Sequence, residues 1–222
     1  MPCVLKLKTM KRVAATDHRF EATCRGMTSG IDLVRLRAVL PSEPLRTVFV
    51  TDDGVGDEEL TPASVLFPIV LRETGPSVLL TQRTEDLRDH PGQISFPGGR
   101  VEPEDASPAH TALREAREEI GLLEHHVEVI GYLPEYRTIT GYRIMPVVAF
   151  VRPPFALHPD PREVAEVFEV PLGFLLDSAN HQRCSRLHLG KLRHYFAMPY
   201  GDYYIWGATA GIIVSLSQVF AS

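Results

Sequence analysis

Glu115, Glu118 and Glu119 crowd into the run REAREEIGL, residues 114–122. At about 100° per residue they fall within roughly 100° of arc on a helix. Glu115 and Glu119 form an i, i+4 like-charge pair, which costs an isolated helix roughly 0.2–0.5 kcal/mol. A hard divalent cation would turn that repulsion into attraction, because Mg²⁺ takes oxygen ligands and shares them with substrate phosphates. The plain alternative is a solvated acidic face with Arg114 and Arg117 as local partners, the usual fate of a charge run. The pair Gly98-Gly99 upstream tips the balance toward a metal site. A glycine turn lets the main chain approach closely, so the Gly99 carbonyl is a candidate further ligand.

A helix must carry these acids, and the sequence supplies its start, its buried side and its stop. Ser107 is a good N-cap, and Pro108 suits the first helical position. Ala109, Ala112, Leu113, Ala116 and Ile120 recur at helical spacing, and Gly121 stands where a left-handed stop is expected.

The run Arg114-Glu115-Ala116-Arg117-Glu118-Glu119-Ile120-Gly121-Leu122 resembles the second half of the Nudix box, G-x5-E-x7-R-E-U-x-E-E-x-G-U, with Ala116 at the first aliphatic position. The first half departs from it: Asp105 stands where Glu is usual, and the interval from Asp105 to Arg114 is one residue longer. Upstream, residues 79–99 read LLTQRTEDLRDHPGQISFPGG, which looks like the signature of coenzyme A pyrophosphatases within that superfamily. Arg83, Arg88, Gly92, Phe96, Pro97, Gly98 and Gly99 fall on its pattern, and Thr84 replaces the usual Ser while keeping a hydroxyl. The likeness extends through EVAEVFEVPL (residues 163–172) and YIWGATAGII (residues 204–213), and so covers roughly residues 61–220.

The resemblance implies a Nudix-type α/β/α sandwich with a mixed β-sheet and a loop-helix-loop catalytic motif. It implies Mg²⁺- or Mn²⁺-dependent hydrolysis of the diphosphate of coenzyme A or its thioesters. Glu115, Glu118, Glu119 and Gly99 would hold metal, and Arg114 would orient the carboxylates. Glu163 would complete the metal site or serve as base, with ordinary helix capping as the alternative. Arg83 and Arg88, beside Gly98 and Gly99, would bind substrate phosphate through their forked donors, against a plain pair of loop salt bridges. His90 and His110 read as surface residues. Another nucleoside diphosphate derivative, such as ADP-ribose or a dinucleotide, is the alternative substrate; a non-catalytic nucleotide-binding module is the alternative class.

The chain's 222 residues fit one large domain or a domain with an appended segment. Its apolar fraction of 44% is enough for a core, and the net charge of −5 gives no sign of a nucleic-acid binder. Residues 1–30 hold six Lys/Arg against Asp17 and Glu21, for +4, so the remainder carries −9. Cys3, Cys24 and Cys184 lack metal-ligand spacing and favour free thiols in a reducing compartment. The longest apolar stretch, residues 205–221, is interrupted and too short to span a membrane. A cytoplasmic location is the default, with a mitochondrial presequence the alternative for the basic N-terminus. The expected partner is a small CoA-like nucleotide, with no nucleic acid and no membrane; a homodimer is left open.

Residues 1–60 are expected to form an N-terminal segment with one helix at 30–40, capped by Ser29, and an acidic linker over 41–62. Residues 61–222 are expected to form the catalytic domain. Strands are expected at 65–71, 77–81, 127–133, 145–151, 194–197 and 203–206, and helices at 162–168, 172–176 and 209–220.

Overall fold

The computed structural model describes residues 31–44, 48–51, 60–87, 89–188 and 190–221. The chain begins with α1 (Leu33–Val39), β1 (Val48–Thr51), β2 (Thr61–Arg72), β3 (Gly75–Arg83), β4 (Ile94–Ser95) and β5 (Gly98–Arg100). Helix α2 (Pro108–Ile120) follows, then β6 (Val127–Tyr132), β7 (Glu135–Arg137), β8 (Tyr142–Val151), β9 (Val164–Pro171) and α3 (Leu172–Leu176). The last elements are β10 (Gln182–His188), β11 (Lys191–Tyr200), β12 (Tyr203–Trp206) and α4 (Gly207–Ala221).

β2, β3 and β8 are nearly continuous apolar runs because they are buried on both faces. Side chains alternate across a strand, so Leu66, Val70, Leu79, Val147 and Ala149 meet Ala112, Ala116 and Ile120 of α2. Phe67, Ile69, Val78, Leu80, Val148 and Phe150 face the other way, toward α1, α3 and α4. The result is the expected α/β/α sandwich. Its mixed sheet runs β1-β7-β8-β2-β3-β4, with β2 parallel to β8 and β1 parallel to β7. β5 extends along β2, β6 along β8 and β9 along β3. β10, β11 and β12 form a separate antiparallel sheet.

Three expectations are corrected. The helix expected at 162–168 is instead strand β9, pairing antiparallel with β3 from Ser77 to Arg83. Val164, Val167, Phe168 and Val170 are β-branched or aromatic, and the open flank of β3 supplies the partner that local helical spacing ignores. The expected linker over 41–62 contains strand β1, whose Val-Phe-Val-Thr run pairs with β7. β10 also went unread, being polar enough to hide its alternation. The acidic run 52–59, like residues 1–30, lies outside the described residues. Helix α1 starts at Leu33, and its N-cap is Asp32, whose Oδ1 accepts from the Val34 and Arg35 N–H groups at 3.0 and 2.9 Å. No helix among the described residues is long and apolar enough to cross a membrane.

Leu36 of α1 is fully buried in the same core as Ile213 and Leu216 of α4. Leu36→Ala is therefore expected to cost about 2–5 kcal/mol in urea unfolding. A cost below about 0.5 kcal/mol would show that α1 is dispensable to this core.

Candidate active site

Both ends of α2 are fixed before any of its acids is placed. Ser107 Oγ accepts from the His110 N–H at 3.1 Å, and Pro108 follows it in the first turn. The buried Ser64 hydroxyl lies 2.7 Å from the Pro108 carbonyl and 2.9 Å from that of Met145, binding this turn to the sheet. At the other end Gly121 adopts φ 71°, a left-handed conformation that suits glycine. The loop after β8 then satisfies α2's last carbonyls: His158 N–H donates to Ile120 O at 2.8 Å and Asp160 N–H to Glu119 O at 2.9 Å. The same loop carries Glu163. Thr84 anchors it by donating its hydroxyl to Arg162 O and its N–H to Glu163 O, both at 3.0 Å.

Held this way, α2 aims its glutamates in different directions. Glu119, expected on the polar side, is only 5% exposed, and its Oε2 accepts from the Gly98 N–H at 3.2 Å. Glu115 lies against Gly99, where an added Cβ would fall 2.3 Å from its Oε1. A methyl there would force the Glu115 carboxylate to move. Glu118 projects outward, 3.1 Å from Arg114 Nη1, with its side chain 53% exposed. Glu115 and Glu119 therefore share the glycine strand, while Glu118 joins Glu115 at Arg114 Nη1. Among the described residues no group of three His, Cys, Asp or Glu is assembled to hold a metal ion.

Arg114 is the hub on the outer side. Its Nε and Nη2 form a fork onto Asp105 at 3.1 and 3.0 Å, its Nη1 reaches Glu115 at 2.9 Å, and Nη2 also donates to Arg100 O at 3.1 Å. Asp105 is enclosed and also accepts from Thr111 Oγ1 and the Glu102 N–H, each at 2.9 Å. The Arg114 fork holds the Asp105 carboxyl far below the usual carboxylate range, against the opposing effect of burial. The departure from the box at this position is thus an anchor for Arg114. Its partner is nine residues away, across the N-cap and first turns of α2, so no periodic signal marks the pair.

The inner side has the opposite electrostatics. Burial pushes the Glu119 carboxyl up from 4.5 to about 8; the Gly98 N–H opposes this, and the charge of Glu115 adds to it. Glu163 raises it further, while Arg83 lowers it. Burial also raises Glu115, against its Arg114 partner. Glu163 is exposed, yet its charge reaches both acids. Arg83 ends β3 beside them, and its Nε is buried without a hydrogen-bond partner among the described residues. Arg88 lies outside the described residues, as do Cys3 and Cys24; Cys184 is a buried free thiol. His90 and His110 are exposed; His110 Nδ1 accepts from the Ala106 N–H at 3.2 Å and lies 3.4 Å from Asp105 Oδ1, on the outer side.

Comparison with known proteins places this geometry in a family. The NUDIX domain model matches residues 60–185. The proteins named uncharacterized Nudix hydrolase NudL from Enterobacter sp. strain 638 and Escherichia coli K12 are 42% and 43% identical over 155 residues, spanning 70% of this chain and 80% of each relative. Among solved structures, a NUDIX hydrolase from Alicyclobacillus acidocaldarius aligns with TM-score 0.45 at 18% identity, covering 73% of this chain and 93% of that one. The chain belongs to the Nudix family. It is accordingly a hydrolase of nucleoside diphosphate derivatives, a class that generally uses divalent cations such as Mg²⁺ or Mn²⁺.

The Glu119 environment predicts an unusual stability profile. Its folded pKa lies above the ordinary value, so the native state holds the proton more tightly than the unfolded chain does. This contribution is full below about pH 4.5 and is lost as pH rises through about 8. Glu119→Gln is expected to raise the Tm in EDTA by roughly 5 °C or more at pH 8.5 and to change it little at pH 4.5. Parallel Tm curves for the two proteins across that range would contradict the assignment.

Proposed function

We propose that the protein hydrolyses the diphosphate bond of coenzyme A or its thioesters, releasing 3′,5′-ADP and 4′-phosphopantetheine or its acyl form. The observation that carries this reading is Arg83. It belongs to the LLTQRT…FPGG run that resembles coenzyme A pyrophosphatases, and its buried Nε, at the edge of the Glu115–Glu119 pair, has no partner among the described residues. A guanidinium donor in that position suits a phosphate oxygen.

The donor set fits Mg²⁺ or Mn²⁺. Glu115 and Glu119 are hard oxygen donors that lie against the Gly98-Gly99 strand, and the charge of Glu115 raises the proton affinity of Glu119. Glu115, Glu119 and the Gly99 carbonyl would hold the cation, with Glu118 reaching it by a rotamer change away from Arg114. The cation supplies neutralisation of phosphate charge and acidification of water.

The chain's own groups do the rest. Arg83 binds and orients a phosphate. Arg114, locked by Asp105, keeps Glu115 over Gly99. Glu163, exposed at the rim, is placed to take a proton from the attacking water. In the reaction the water oxygen forms a new P–O bond as the bridging P–O bond breaks. Each half leaves as a phosphomonoester, and the water's protons pass to the base and the medium.

Mass analysis after incubation with Mg²⁺ and CoA, beside an EDTA control, tests the reading. Metal-dependent 3′,5′-ADP and 4′-phosphopantetheine are expected. Gly99→Ala, which drives a methyl into Glu115, is expected to lower kcat/KM about 100-fold or more while the protein stays folded. Cleavage of ADP-ribose or a dinucleotide but not CoA would move the substrate assignment, and cleavage of none would favour a binding module.

A further inference from the structure

Beyond the carboxylates lies a pocket of about 260 Å³ that the chemistry above does not use. One wall is the β10–β11 ladder, where Arg186 and Arg193 are direct cross-strand partners and both line the pocket. Like charges directly opposite on a ladder are unfavourable. An anion between them reverses that sign. Tyr195 and Trp206 provide an aromatic surface, packed edge to face with ring centroids 5.6 Å apart. Thr138 and Gln93 add polar groups at the opposite wall, and no carboxylate among the described residues lines the pocket.

Two hydrogen-bonded connections tie this pocket to the site. Gln93 accepts from the Arg83 N–H at 3.0 Å while its residue lines the pocket, so one short segment serves both. That segment turns at His90, a non-glycine residue at φ 58°, a conformation that side chains seldom adopt and that recurs at ligand sites. On the other side, the 138–142 turn ends at Tyr142, whose hydroxyl accepts from Arg100 Nη2 at 2.8 Å. Arg100 O in turn accepts from Arg114. Segments that line the pocket are thus hydrogen-bonded to Arg83 on one side and, through Arg100, to Arg114 on the other.

We propose that this pocket holds the phosphate-bearing purine nucleoside end of the substrate, with the base against Trp206 and Tyr195 and the ribose 3′-phosphate between Arg186 and Arg193. The proposal rests on the CoA reading for the identity of that end. Base stacking on aromatic side chains tolerates any base. The guanidinium pair, by contrast, selects for a second phosphate remote from the diphosphate. The pocket would therefore distinguish CoA from dephospho-CoA.

Trp206 is the only tryptophan of the chain, so its fluorescence reports this pocket directly. The experiment titrates 3′,5′-ADP and 5′-AMP into the intact protein and follows that emission. Quenching is expected with both, with 3′,5′-ADP bound at least about 10-fold more tightly. Arg186→Gln, a change at an exposed position, and Arg193→Gln should each shrink the preference to about 3-fold or less. Both variants should keep the wild-type Tm. No quenching, equal affinities in the wild type, or a preference untouched by both variants would overturn the proposal. If the preference holds and depends on both arginines while CoA is not cleaved, the pocket stands and the CoA hydrolase reading falls.

Discussion

A carboxyl group buried against a glycine strand is the constraint on which the rest of the site depends. The Glu119 carboxyl accepts from the Gly98 N–H, and burial with the charges of Glu115 and Glu163 disfavours its ionisation against the opposing pull of Arg83. Such a residue is unfavourable in an apolar position unless it stays neutral or meets a cation. The fold does not relieve the problem by moving the helix. Ser64 ties the first turn of α2, and the 158–160 loop ties the last, so Glu119 and Glu115 are pinned over Gly98 and Gly99. A side chain at 99 would displace the Glu115 carboxylate from that position.

The charges are divided with the same logic. Arg114, the strongest nearby cation, is spent largely on Asp105, which is enclosed and accepts four hydrogen bonds in all. What remains of Arg114 steadies Glu115 and Glu118 without neutralising Glu119. Arg83 approaches from the β3 side but leaves its Nε unsatisfied. Glu119 is therefore left short of positive charge near a donor that has no acceptor among the described residues. That arrangement suits a complex of a cation and a phosphate better than it suits the empty protein.

Much of this was legible in the sequence because it is local. Ser107, Pro108, the apolar stripe and Gly121 delimit α2 through short-range rules, and the structure places the helix at Pro108–Ile120. The sandwich followed from long apolar strands that must be covered on both sides. The misreadings share one cause, which is dependence on distant partners. Residues 162–168 have a spacing that fits a helix, but the flank of β3 captures them as a strand. Val48–Thr51 is too short to declare itself without β7. Glu119 looks like a solvated neighbour of Glu118 on a helical wheel, and only the position of β5 above α2 makes it buried. The Asp105–Arg114 fork joins a loop to helix α2 at a spacing that no helical period encodes.

The central claim is that Glu119 keeps its proton near neutral pH until a cation takes its place. Calorimetric titration of Mn²⁺ into the metal-free protein at pH 7, repeated in buffers of different ionisation enthalpy, counts the protons released per ion bound. The account predicts release of close to one proton in the wild type, about 0.3 or fewer in Glu119→Gln, and a fall toward zero in the wild type by about pH 9.5. Binding without proton release at pH 7 would contradict it, because Glu119 would then already be ionised in the folded protein.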